Sequence, residues 1–160
     1  GYSANGTYQV VLIGKVRVRS SETQPTDAVE SSARVVERDG NYFKYDNGVV
    51  YDKNTGLEWY AGPDRDTNWN EAKSWVESLK VAGGGWRMPT RQELKTLYDK
   101  GAGELNMTPL LKTTGQWVWS GETKGSSSAW SFHFPYGYEH WYVRDDTYRI
   151  RGFAVRSRRY

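Results

Sequence analysis

The chain has 160 residues, with 22 Lys and Arg against 19 Asp and Glu, eight Trp, twelve Tyr and no cysteine. That length supports one sizeable core rather than two, and a mean hydropathy of -0.82 with no long apolar run excludes a transmembrane helix. Without cysteine there is no disulfide framework, no thiolate metal site and no Cys/His nucleophile pair.

Tyr8 to Arg19 reads as a strand, with Tyr8, Val10, Leu12, Val16 and Val18 on one side and Gln9, Lys15, Arg17 and Arg19 on the other. Val11 and Ile13 interrupt the polar side, so its middle has apolar groups on both. The Pro-, Ser- and Thr-containing stretch Ser20 to Ser32 reads as a linker or surface loop. Residues 1–38 are therefore taken as an N-terminal strand and linker, and 39–160 as the domain. No signal peptide is visible at Gly1, which does not argue for the cytoplasm.

Short strands at Val49 to Tyr51 and Leu57 to Tyr60 flank the turn Asp52-Lys53-Asn54-Thr55-Gly56. Asn68 and Glu71 form a capping box that starts a helix carrying Trp69, Ala72, Val76 and Leu79 on one face, ended by Gly83-Gly84-Gly85. Pro89 holds Met88 extended, and Thr90 with Glu93 forms a second capping box, so a helix begins at Arg91. Leu94, Leu97 and Tyr98 share its face, Gly101 offers a left-handed cap, and Trp86 is expected beneath it.

The last third is rich in aromatics. Trp130, Phe132 and Phe134 alternate with Ser131 and His133, as in a strand with one buried face, so His133 is expected on its polar side. Trp141 and Val143 oppose Tyr142 and Arg144, and the core face is assigned to the first pair. A closing strand, Ile150 to Arg158, slips parity at Gly152, as at a bulge. Residues 116–160 hold seven basic and four acidic groups while the rest is balanced, so the whole +3 charge lies there. Such an end could steer toward polyanions, although solvated strand faces with cation–π and ion-pair contacts are the favoured account of it.

The order Thr55-Gly56-Leu57-Glu58-Trp59, Trp69-Asn70-Glu71-Ala72, Trp86 to Leu94, Trp117-Val118-Trp119-Ser120, Ala129-Trp130 and Arg151-Gly152-Phe153-Ala154-Val155-Arg156 resembles domain of unknown function 1566. That family is also called the C-terminal domain of the Legionella collagen-like adhesin, and the resemblance covers about Asp39 to Arg158. It implies an α+β, C-type-lectin-like fold in which two short helices pack on small antiparallel sheets. Many relatives carry cysteines where this chain has Trp75 or Val76 and Gly152 or Phe153, so packing is expected to replace any disulfide there. The helix pair with Trp-Arg-Met-Pro-Thr also resembles the formylglycine-generating enzymes, which use cysteines that this chain lacks.

The resemblance points to the C-terminal region for ligand, and the polar-tipped residues there are Tyr136, Tyr138, His140, Tyr142, Arg144, Asp145, Tyr148, Arg149 and Arg151. Aromatic faces stack on sugar rings, and Arg or Asp fixes orientation. The calcium-dependent sugar motifs of lectins, Glu-Pro-Asn or Gln-Pro-Asp with Trp-Asn-Asp, are absent. Asp64, Asp66, Asn68 and Glu71 cluster hard oxygens, but capping and a solvated loop explain them more cheaply. No metal, cofactor or catalytic residue is assigned. The reading is a secreted or surface-displayed adhesion domain that binds glycan, polyanion or protein, nucleic acid being least favoured. The alternative is a structural subunit forming homo-oligomers by exchange of the N-terminal strand through Val10, Leu12, Val16 and Val18.

Overall fold

Two hairpins build the first sheet. In the computed structural model, which describes residues 32–158, β1 (Val35–Asp39) turns back at Gly40 into β2 (Tyr42–Tyr45). Then β3 (Val50–Asp52) turns into β4 (Leu57–Ala61). The second turn is fixed by Asp52, whose carboxylate accepts from the Asn54 N–H and the Thr55 hydroxyl, both at 2.9 Å. Gly56 supplies the positive φ of 76° that completes it. The closing strand β9 (Phe153–Ser157) pairs antiparallel with β4, giving the order β9-β4-β3-β2-β1. Contacts group Ala33–Tyr160 as one unit; β1 already belongs to its sheet, ahead of the domain start read at Asp39. The strand containing Val10, Leu12, Val16 and Val18 lies outside the described residues.

Both capping boxes form. Asn68 and Glu71 exchange bonds of 2.8 and 2.9 Å at the head of α1 (Trp69–Ser78), and Thr90 and Glu93 exchange bonds of 3.0 and 2.9 Å at α2 (Arg91–Leu97). Arg87 adds a bidentate pair to Glu93 at 2.7 and 2.8 Å, tying the chain before the helix to its first turn. Helix α1 ends at Ser78, before its glycines, and a 3₁₀ turn, Val81–Gly83, follows. Helix α2 stops at Leu97 rather than running toward Gly101. Asn106 captures the exit, its carbonyl accepting from Asp99 and its side chain from Gly101, so Tyr98 turns extended (ψ 125°). Trp86 packs with Val49, Val76 and Ala154 on the α1 side instead of beneath α2, and donates to the Val81 carbonyl at 2.9 Å.

The second sheet holds β5 (Trp117–Lys124), β6 (Ser128–His133), β7 (Tyr138–Val143) and β8 (Ile150–Arg151), in the order β7-β6-β5-β8. The first three form an antiparallel meander, whereas β8 lies parallel to β5, so this sheet is mixed rather than antiparallel throughout. The slip at Gly152 is not a bulge within one strand: the chain leaves the second sheet at Arg151 and enters the first at Phe153. Leu94 and Leu97 of α2 join Val50, Trp59, Val118, Phe132 and Phe153 in one core that both sheets line.

Two burial assignments reverse. Strand β6 is covered on both faces, with Ser131 and His133 buried beside Phe132, because the second face faces Trp117 and the α1 side rather than water. On β7, Trp141 and Val143 are 41% and 47% exposed while Tyr142 is half-buried. Register explains this: Tyr142 sits beside Ala129, in the cluster under α1, and Trp141 sits beside Trp130 at the uncovered edge.

The crossing at Gly152 tolerates no side chain on the strand beside it. A Cβ on Gly62 would sit 2.4 Å from the Gly152 carbonyl oxygen, the atom that accepts the Gly62 N–H at 2.9 Å. Gly62→Ala should therefore destabilise the fold by about 2–3 kcal/mol, roughly 10 °C in Tm. Gly125→Ala, whose Cβ meets nothing within 4 Å and whose φ is +66°, should cost about 1 kcal/mol. Thermal unfolding of the two variants separates steric from conformational cost, and equal losses would refute the crossing as a constraint.

Candidate functional site

Five ring systems converge on one face of the second sheet. Trp117 is the floor, 8% exposed, its indole 4.2 Å from His133 and 4.9 Å from Tyr142 between centroids, the latter edge-on at 87°. Tyr138 stands edge-on at 5.7 Å and His140 lies at 6.2 Å. Strand alternation produces this arrangement. Tyr138, His140 and Tyr142 are every second residue of β7, and register places them beside His133, Ser131 and Ala129 of β6. Tyr136, 79% exposed, stacks on His133 at 5.3 Å in the preceding turn. Four candidates from the sequence, Tyr136, Tyr138, His140 and Tyr142, thus form one patch; three are in a strand rather than in connections.

The charged candidates behave differently. Arg151 is buried, its guanidinium clamped at 2.8 Å to Asp64 and at 2.8 Å to Asp66, so it faces the protein and not a ligand. The two carboxylates that had suggested a cation site hold this arginine, and Asn68 and Glu71 are consumed in the α1 cap. Arg144 lies over the Trp69 ring at 4.9 Å and donates to the Ser126 carbonyl. Arg149 is exposed, stacked over exposed Tyr148 at 5.1 Å, with a φ of 59° sustained by its N–H donating to Asp66. Asp145 is exposed in the turn after β7. Beyond the named candidates, Arg156 and Arg158 both reach Glu58.

Trp117 and His133 complete the patch and were not singled out. Their signal was weak: Trp117 entered only as part of the Trp117-Val118-Trp119-Ser120 motif, and its pairing with His133 of β6, which itself pairs with Tyr138 of β7, brings it to the tyrosines. The patch is an open surface. A concavity of about 550 Å³ lies elsewhere, floored by Met107, Thr108 and Leu111 and rimmed by Asp64, Glu104 and Lys112. An open aromatic face suits an extended ligand laid across it better than an enclosed small molecule.

Electrostatics separate the site from its scaffold. Burial lowers the pKa of His133 below its usual 6.5, and its Nδ1 accepts the Tyr136 N–H at 3.3 Å, which requires that nitrogen unprotonated. Burial also raises the phenol of Tyr142, with smaller contributions from Tyr138 and Asp146. For Asp64, desolvation pushes upward, but bonds from Thr114 and Arg151 outweigh it and lower its pKa. For Glu93, desolvation is likewise outweighed by Arg87 and Thr90.

Residues 48–156 match the family model described as the Lcl C-terminal domain. A search of curated proteins finds no match.

All three lowered groups bind protons more readily unfolded than folded, so each stabilises at high pH and loses that contribution on acidification. For His133 the contribution is full above 6.5 and falls away below it; for Asp64 and Glu93 it is full above their ordinary 3.8 and 4.5. Thermal unfolding should show a first loss of stability as the pH falls below 6.5 that His133→Phe removes. A second loss, as the pH falls below 3.8, should shrink in Asp64→Asn. An unchanged first step in the His133 variant would refute the assignment.

Proposed function

The chain belongs to the Lcl C-terminal domain family, and from that membership and the aromatic patch we propose a non-enzymatic recognition domain. It is displayed outside the cell or on its surface and binds glycan across Trp117, Tyr138, His140 and Tyr142. The carrying observation is that Tyr138 and His140 are exposed, and Tyr142 half-buried, side by side on an edge strand over the buried Trp117 indole. Tyr138 is 46% exposed and Tyr136 79%, positions where burial gains nothing and stacking on a sugar face gains apolar contact. Support for adhesion comes from the family, and no helix among the described residues is long and apolar enough to cross a membrane.

A C-type-lectin-like fold is part of this reading. It is supported by the two short capped helices, the two small sheets and a closing strand that returns beside β4. The ligand would be held without calcium, since Asp64 and Asp66 are engaged by Arg151.

Among possible ligands, an uncharged glycan is favoured over a polyanion. Of the three candidate arginines, Arg144 and Arg151 are committed to internal partners, leaving Arg149 exposed. Stacking is insensitive to salt, whereas phosphate- or sulfate-type recognition weakens steeply with it.

The test is retention of the intact chain on columns of neutral plant and bacterial polysaccharides and of heparin. The expected result is retention on a neutral polysaccharide that survives 0.5 M salt and falls roughly tenfold, about 1.4 kcal/mol, in Tyr138→Ala. Arg149→Ala should leave it unchanged. Retention only on heparin, abolished by salt and by Arg149→Ala, would replace this reading with a polyanion receptor.

A further inference from the structure

Sheet edges invite foreign strands, and folded proteins blunt them with charge, bulges, shortness or cover. Three of the four edges here are blunted. β1 is shifted in register between Val35 and Glu37 and carries Glu37, Arg38 and Asp39. β9 is covered by Arg87, which exchanges bonds of 3.0 and 2.9 Å with Val155. β8 is two residues long, and Thr67 donates to its Ile150 carbonyl at 3.0 Å.

The fourth edge is β7, and among the described residues it has no bulge, shortening or cover. It pairs with β6 over six residues in unbroken register, contains neither proline nor lysine, and exposes five of its six residues. Its one charged residue, Glu139, is drawn toward Arg91 at 3.4 Å. The hydrogen-bonding phase is known. Arg144 donates to the Ser127 carbonyl, and the Ser131 hydroxyl reaches the His140 carbonyl, so even-numbered residues bond inward. Alternation then turns the backbone groups of Glu139, Trp141 and Val143 outward, with the Val143 carbonyl also accepting the Asp146 N–H at 3.0 Å in the turn that follows.

We infer that this edge pairs with the same edge of a second copy, antiparallel, with Trp141 opposite Trp141. Side chains fit that choice. The register sets Val143 against Glu139 and Tyr142 against His140, so no like charges meet and aromatic cross-strand pairs form on both faces. It also brings Glu139 of the second copy onto the face where the Lys124 ammonium lies 5.3 Å over the Trp141 ring, an attractive pairing of opposite charge. A two-fold axis closes the assembly at two chains. The two sheets become one eight-stranded sheet, with the Trp117 patches of both copies on adjoining strands. The pairing does not depend on the glycan reading, but a repeating polysaccharide would engage both patches and gain avidity.

The experiment is sedimentation equilibrium of the intact chain over a concentration series. The wild type should fit a monomer–dimer equilibrium, and Trp141→Lys should raise the dimer dissociation constant at least tenfold with an unchanged circular dichroism spectrum. Leu12→Lys should leave it as it is. Register is tested in this cysteine-free chain with the double variant His140→Cys/Tyr142→Cys, because His140 of one copy and Tyr142 of the other would face each other in a non-hydrogen-bonded pair about 4.5 Å apart at Cα. Oxidation should yield a covalent dimer. A monomer at every concentration, a trimer, a dimer indifferent to Trp141→Lys, or one dissolved by Leu12→Lys would overturn the proposal. The last result would assign association to the N-terminal strand. Because the readout is mass, failure here leaves column retention to be judged separately.

Discussion

Both sheets are closed by one stretch of backbone, and everything else is arranged around its passage through Gly152. Ile150 and Arg151 lie beside Trp117 and Val118 in the second sheet, and Phe153 begins the pairing with Ala61 in the first. Between them the chain is zipped to the segment before α1. Gly62 donates to the Gly152 carbonyl, Thr67 to the Ile150 carbonyl and Arg149 to the Asp66 carboxylate. Ala72 closes the crossing from the α1 side, where a Cβ on Gly152 would meet the Ala72 Cβ at 2.9 Å. Relatives that place cysteines near this contact would bridge it covalently; here close packing of helix on backbone holds it.

Arg151 makes this crossing an electrostatic lock as well as a steric one. A buried guanidinium alone would be costly, and two carboxylates plus the Thr114 hydroxyl satisfy it. Both carboxylates remain partly in water, at 39% and 50% side-chain exposure, so their own desolvation is small while the arginine is covered. The lock positions the patch indirectly. The Arg149 carbonyl accepts from Trp117, the Thr67 carbonyl accepts from the Trp119 indole, and Trp69 packs against both tryptophans. The platform under the tyrosines is therefore held by the same stretch that joins the sheets.

What could be read from the sequence was what local chemistry determines. Thr90 with Glu93 and Asn68 with Glu71 satisfy backbone groups three residues away, and both boxes form where the spacing places them. The turn at Asp52 and the parity break at Gly152 were visible for the same reason, but that the break marks a change of sheet is a non-local fact. Arg151 could not be read at all: its partners lie 87 and 85 residues earlier, so a charge that looked like surface field is internal. Strand β7 misled because alternation reports two faces without saying which is covered. Bulk favoured Trp141 for the core, whereas cover from α1 and Trp117 decided for Tyr142.

That reversal has a physical logic. A face that stays wettable while resting on a buried indole needs side chains with an apolar body and a polar tip, and Tyr and His meet that need where Trp and Val do not. The opposite face keeps its tryptophans in solvent by a different means. Arg91 stacks over Trp130 at 4.2 Å, and Lys124 spans Trp130 and Trp141 at 5.7 and 5.3 Å, so cations mask the rings without burying them. One edge strand thus carries two differently solvated aromatic faces and an open backbone between them. A strand needed only for the core would require one buried face and a guarded edge; five of the six residues of β7 are exposed, and no strand among the described residues pairs with its outer side.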